Sequence, residues 1–177
     1  MGDFRALGLN APEPLTASHD FSSFSSGKPS LDSWLADMAL RNQTSNYTRT
    51  FVVCGDAMAV RGYYAVCAGM ILRKDVPRPL SPYGAPGEIP IALLARLAVD
   101  SSMQGRGVGK ALLAHALKTA ASAAQAVAFR ALIVDAIDED AAAFYRKLGF
   151  QPTKISPTKL ILPMQDVIAS MTATPPE

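Results

Sequence analysis

Leu31, Trp34, Leu35 and Met38 recur three and four residues apart and predict a helix that buries that stripe, with Ser30 as its N-cap. Beyond it the pattern shifts to short apolar runs. Thr50 to Cys54 and Met58 to Met70 read as strands, joined by a turn at Gly55-Asp56. Ile91 to Val99 is the central strand. A long helix follows, with Val108, Leu112, Leu113, Ala116 and Leu117 on one face and Lys110, Lys118 and Ser122 toward the other. Arg130 to Ile137 predicts a further strand. Asp138 can cap the next helix, and Gly149 can end it in a left-handed conformation. Leu160 to Leu162 predicts the last strand. Residues 1–28, Ser-rich from Ser22 to Ser26, hold an initial strand and a loop. Arg73 to Pro90 contains Pro77, Pro79, Pro82, Pro86 and Pro90 with Gly84 and Gly87, which excludes regular helix and a central strand. A connector of that length is either a functional loop or a surface excursion. These elements predict an α/β fold, a mixed central sheet flanked by helices. One domain is expected over residues 1–177, with flexible ends at 1–10 and 170–177 and a disordered tail from Thr172 to Glu177.

Composition narrows the function classes. Apolar residues make up 49% of the 177 and charged residues 18%, a globular balance. The net charge of +2 excludes a polycation, so any nucleic-acid contact must be a local patch. Cys54 and Cys67 lie in apolar runs and read as buried reduced thiols rather than redox groups. His19 and His115 have no ligand spacing, so no metal site is expected. No signal segment and no membrane-length apolar run is seen, and position 6 is Ala, which argues against myristoylation after Met1-Gly2. A cytoplasmic protein without a membrane partner is the expectation.

The segment Gln104-Gly105-Arg106-Gly107-Val108-Gly109 joins the central strand to the long helix. Backbone N–H groups at a helix start have no intrahelical partner, and the helix dipole favours an anion there. Glycines let a phosphate approach closely. The spacing discriminates among phosphate loops. Gly109-Lys110 is followed by Ala111, so the hydroxyl that holds magnesium in a Walker loop is missing. Gly105 and Gly107 begin the dinucleotide pattern, but its third glycine is replaced by Lys110 and Asp135 lies too far on.

What remains is Q-x-x-G-x-G at Gln104, Gly107 and Gly109, which resembles the acetyl-CoA pyrophosphate loop of the GNAT acetyltransferase superfamily. Ala141 to Phe150 is similar to that superfamily's second signature, x-F-Y-x-x-x-G-F, at Phe144, Tyr145, Gly149 and Phe150. The two stand in the expected order, and the likeness covers roughly residues 50–163. It implies a GNAT fold in which two parallel strands, here Ile91–Val99 and Arg130–Ile137, splay apart around acetyl-CoA. The pantetheine arm would pair with backbone at Leu97, Ala98 and Val99. The pyrophosphate would lie on the N–H groups of Gln104, Gly105, Arg106, Gly107, Val108, Gly109 and Lys110, with added charge from Arg106 and Lys110. Phe144 is grouped with the cofactor-binding residues, although it is also the more natural packing residue of the pair. Tyr145 matches the general acid that protonates the departing thiolate. A phenol near pKa 10 stays protonated at neutral pH, while a thiol sits near 8.5, so positioning must assist the transfer.

No general base stands out; Glu88 is the nearest candidate in sequence. A lysine amine is only about 0.1% neutral at about pH 7.4, whereas an α-amine is roughly a quarter neutral. The missing base therefore favours an α-amine acceptor.

Leu94-Ala95-Arg96-Leu97-Ala98-Val99-Asp100 is similar to a strand of the bacterial acetyltransferase toxins of the TacT/AtaT type. Leu31-Asp32-x-Trp34-Leu35, Arg49-Thr50-Phe51-Val52-Val53 and the proline-rich loop ending Ile89-Pro90 extend the resemblance to almost the whole chain. This resemblance implies acetylation of the α-amino group of aminoacyl-tRNA and arrest of translation. It also implies a ribbon–helix–helix antitoxin as partner and a homodimer. Arg49 and Arg96 would then hold the tRNA acceptor end, with Lys28, Arg41, Arg73, Lys74, Arg78, Arg146 and Lys147 as looser backbone contacts. Arg96 stands out, because a charge inside an apolar strand must pair or reach a cavity. Two other readings stay open: a GNAT enzyme acting on a small amine or a protein N-terminus, and a non-catalytic acyl-CoA-binding or repressor-partner module.

Overall fold

The computed structural model describes residues 3–173. In chain order the strands are β1 (Glu13–Pro14), β2 (Arg49–Cys54), β3 (Val60–Leu72), β4 (Glu88–Val99), β5 (Ala131–Asp135), β6 (Gln151–Pro152) and β7 (Lys159–Pro163). The helices are α1 (Pro29–Trp34), α2 (Leu40–Thr44), α3 (Val108–Ala123), α4 (Glu139–Lys147) and α5 (Met164–Thr172). The strands form a mixed seven-stranded sheet in the order β1-β2-β3-β4-β5-β7-β6, as the α/β reading requires. The chain divides into two compact units, Met1–Cys67 with Ala95–Ala116, and Ala68–Leu94 with Leu117–Glu177.

In the first unit β2 runs antiparallel to both β1 and β3. The β2/β3 register sets Phe51 opposite Tyr64, and the rings stack with centroids 5.1 Å apart. The core beneath combines Leu15, Leu35, Ala39, Val52, Val60, Tyr63 and Ala98. Gly62 of β3 explains how α3 reaches this layer. A Cβ there would lie 2.9 Å from Leu112 Cδ1 and 3.1 Å from Val53 Cγ2, so a larger residue would force these side chains to shift where the first turns of α3 approach the strand.

The predicted N-terminal helix is present but differs in two respects. Ser30 is not its cap. The N-cap is Lys28, Pro29 takes the first helical position, and no side chain caps the end. The buried stripe also slips. Leu35–Ala39 is π-helical between α1 and α2, with a wider turn than an α-helix. Leu35 and Ala39 are fully buried in consequence, while Met38 is 38% exposed.

In the second unit β5 pairs in parallel with β4 from Ile91↔Ala131 to Leu94↔Val134, and antiparallel with β7. The strand β4 begins at Glu88, so Pro90 lies inside it, against the expectation. Pro90 precedes Ile91, the first residue paired with β5, and its carbonyl accepts from Arg130 N at 2.8 Å. The proline-rich segment is not an open excursion. It makes short 3-10 turns at Arg73–Asp75 and Arg78–Leu80, and buries Val76 and Leu80 against Ile71, Ile89, Ile91, Ile133 and Ile161. Asp138 caps α4 as expected, accepting from Ala141 N at 2.8 Å, and Gly149 follows the helix at φ +96°. The strand β6 and helix α5 were not anticipated. Met164 and Val167 bury one face of α5. The expected flexible ends fall partly on 1–2 and 174–177, which lie outside the described residues.

Candidate active site

In the first unit β4 ends at Val99 and passes through a 3-10 turn (Ser101–Met103) into the glycine loop and α3. Asp100, 4% exposed, builds that turn. Its carboxylate accepts from Ser102 N (3.0 Å), Ser102 Oγ (2.5 Å) and Ser25 N (2.9 Å), and the Arg61 guanidinium lies 3.7 Å away. Burial alone would raise its pKa. The hydrogen bonds and the arginine outweigh that and hold it below the ordinary carboxylate value.

Gly105 and Gly107 adopt φ of +73° and +84°, which side-chain-bearing residues reach only with strain. A Cβ on either would meet nothing within 4 Å, so the loop faces open space. Among the described hydrogen bonds none uses the backbone N–H of residues 105–110, and the first loop-to-helix bond is Ala111 N to Gly107 O. Six successive donors at the start of a 16-residue helix make an anion cradle. Lys110 is exposed beside it, whereas the Arg106 guanidinium is turned onto the Met103 sulfur at 3.2 Å. Gln104 uses its side-chain amide to donate to Ser26 O (2.7 Å) and Val99 O (2.9 Å). Along β4, Leu97 and Val99 are half-buried and Ala98 is buried.

Arg96 is half-buried and meets no carboxylate among the described ion pairs. Its guanidinium lies over the Trp34 ring at 5.4 Å, and one N–H donates to Ala95 O at 2.6 Å. Trp34 in turn stacks on Tyr63, 5.9 Å between centroids, and Tyr63 donates to Leu31 O at 2.7 Å. Arg49 is already employed in the fold, donating to Gln43 O at 3.3 Å and to Asn46 Oδ1 at the end of α2.

In the second unit Tyr145 is 5% exposed on α4, edge-on to Phe144 (5.1 Å) and Phe150 (5.5 Å). Among the described hydrogen bonds none uses its hydroxyl. Burial pushes the phenol above its ordinary value, so it keeps its proton. The expected packing roles are reversed: Tyr145 is the buried ring and Phe144 the half-exposed one. A cavity of about 510 Å³ in the same unit is lined by Arg73, Lys74, Arg78 and Lys154 with no carboxylate in its wall. None of these four enters a described ion pair. Lys154 had no sequence signal.

Cys54 is buried and Cys67 half-buried; both are free, and burial raises both thiols, Cys54 to about 11. Glu13, His19 and Cys54 bring ligand atoms within 4.8 Å of one another, a grouping the spacing of the histidines did not suggest. Thr16 N donates to His19 Nδ1 (2.9 Å), which leaves the ring proton on Nε2, directed at Glu13 Oε1 (2.7 Å). Among the described residues no helix is long and apolar enough to cross a membrane.

The model of the acetyltransferase (GNAT) domain matches residues 47–152. The tRNA-acetylating toxin of Mycobacterium tuberculosis is 39% identical over 162 residues, covering 92% of this chain and 96% of the toxin. The structure of AtaT complexed with acetyl-methionyl-tRNAfMet superposes with TM-score 0.85 at 31% identity, covering 92% of this chain and 99% of that one. A mutant AtaT toxin bound to the C-terminus of the antitoxin AtaR and acetyl-CoA gives 0.80 at 30% identity, covering 93% and 99%.

Proposed function

The chain belongs to the GNAT acetyltransferase family, and from that premise we propose that it transfers the acetyl group of acetyl-CoA to the α-amino group of aminoacyl-tRNA. The observation that carries this reading is the glycine loop, with six successive N–H groups and two left-handed glycines opening on free space. Those donors suit a diphosphate, and the Leu97, Ala98 and Val99 backbone suits the amides of the pantetheine arm. Gln104 would hold the loop while Gly105 to Lys110 bind it, and Phe144 would cover the apolar part of the donor.

In the proposed reaction the neutral amine forms a bond to the acetyl carbonyl carbon and the carbon–sulfur bond breaks. Tyr145 gives its phenolic proton to the departing sulfur, and the proton lost by the amine restores the phenol through solvent. Burial raises the phenol's pKa, and it raises that of a desolvated thiol in the same direction, so the mismatch between them need not widen. No base is required if the acceptor is an α-amine, a substantial fraction of which is neutral near pH 7.

For the acceptor, Arg96 retains unused donors beside a tryptophan face, a pairing suited to a phosphate or a base. The four cations around the second unit's cavity suit an RNA backbone. Arg49 is the weaker candidate because its donors already serve α2. The protein would act in the cytoplasm as a homodimer, arrest translation by blocking amino groups, and be silenced by a ribbon–helix–helix antitoxin.

Mixing the protein with acetyl-CoA and a panel of aminoacyl-tRNAs tests the reading, with N-acetyl-aminoacyl-tRNA detected after nuclease digestion. Absence of that product from every charged tRNA overturns it. Faster acetylation of small amines or protein N-termini would keep the chemistry and replace the acceptor.

A further inference from the structure

Gln104 opens the glycine loop, yet both donors of its side-chain amide are spent on carbonyls, one of them that of Ser26. Ser26 is 7% exposed and held from the other side. The Asp32 carboxylate, in the first turn of α1, accepts from Ser26 N at 3.0 Å and from Ser26 Oγ at 2.6 Å. The neighbouring residue is fixed as well, since Ser25 N donates to Asp100 and Ser25 O accepts from Ser101 N at 2.8 Å. Gly27, at φ +83°, turns the chain back into α1. The segment 25–26 is thus a strap laid across the start of the loop, with Asp32 and Asp100 as its two fastenings.

A loop offering six backbone donors binds an anion well only if those donors are already aimed, because ordering them on binding costs conformational entropy. We propose that Asp32 and Ser26 are positioning residues for the donor site: through the Ser26 carbonyl they hold Gln104, and through Gln104 they set the aim of the N–H groups that follow. Neither residue touches the anion. This inference rests on the loop being the acetyl-CoA site.

Calorimetric titration with CoA, which needs no turnover, is the direct test. Asp32→Ala is expected to weaken CoA binding about tenfold, the size of one lost charge-assisted hydrogen bond. Asp32→Asn keeps an acceptor oxygen and is expected to bind within about threefold of wild type. Ser26→Ala should fall between them, and it guards against failure of Asp32→Ala to fold, which a thermal melt would reveal. In steady state the effect should lie in KM for acetyl-CoA, with kcat at saturating donor and KM for the acceptor unchanged. A wild-type protein that binds no CoA overturns the donor-site reading and this inference with it. Wild-type binding matched by folded Asp32→Ala and Ser26→Ala overturns this inference alone.

Discussion

Tyr145→Phe separates chemistry from packing at the centre of the proposed mechanism. The ring lies between Phe144 and Phe150, and no described hydrogen bond uses its hydroxyl. Removing only that oxygen should therefore change folding stability by less than about 0.5 kcal/mol. Removing the ring in Tyr145→Ala should cost about 3–5 kcal/mol. At this chain length 1 kcal/mol moves Tm by about 2–4 °C, so Phe should melt within about 2 °C of wild type and Ala at least about 6 °C lower. Loss of the general acid should lower kcat by about 10²–10⁴, or roughly 3–5 kcal/mol in the barrier, at unchanged KM for acetyl-CoA. Release of free thiol at saturating donor and acceptor measures kcat, and differential scanning fluorimetry measures Tm. The pH profile adds a check. Because burial raises the phenol's pKa, activity should climb as the amine deprotonates and show no falling limb from the tyrosine below about pH 10. A Phe variant retaining kcat within about threefold, or melting as low as Ala, refutes the assignment and leaves Tyr145 a core aromatic.

Other outcomes follow from the same geometry. Gly62→Ala should lose about 1–3 kcal/mol in urea denaturation, because Leu112 and Val53 are fully buried and have nowhere to retreat from the new methyl. Unchanged stability would show that α3 slides freely on β3. Removing Arg78 and Lys154 together should flatten the plot of log binding constant against log salt for a tRNA acceptor-stem RNA by about one unit per cation; an unchanged slope removes the cavity from the RNA surface. Asp100, whose pKa is depressed in the fold, contributes stability that is complete above its unfolded value of about 3.9 and is lost as pH falls through its lower folded value. Asp100→Asn should therefore lower stability at neutral pH and leave a shallower acid transition, read from urea midpoints across that window; an equally steep transition in the variant refutes this.

The longer strands of the sheet, the glycine loop and α4 were legible because their signals are local. Periodicity marks buried faces, Asp138 caps a helix from within four residues, and Gly105 and Gly107 betray a left-handed backbone. Much of what escaped the sequence depends on contacts distant along the chain. The hydrophobic stripe through Leu35 was right until the π-helical stretch shifted its phase, which exposed Met38 and buried Ala39. Nothing near Lys154 announces three other cations. The Asp32–Ser26–Gln104 chain spans 78 positions between Ser26 and Gln104, beyond any local pattern. The prolines correctly excluded a helix, but they gave no hint that Val76 and Leu80 would fold down onto the core.

Trp34 is the single tryptophan of the chain, and it touches the cation proposed to meet the acceptor. The protein therefore carries a built-in optical reporter. Light absorbed by Tyr63, parallel to the indole at 5.9 Å, is passed to one emitter, and anything that draws the guanidinium off that ring changes its emission. Were Arg96 to meet the acceptor as proposed, its engagement would be followed in unlabelled protein, in real time, by the colour and intensity of one residue.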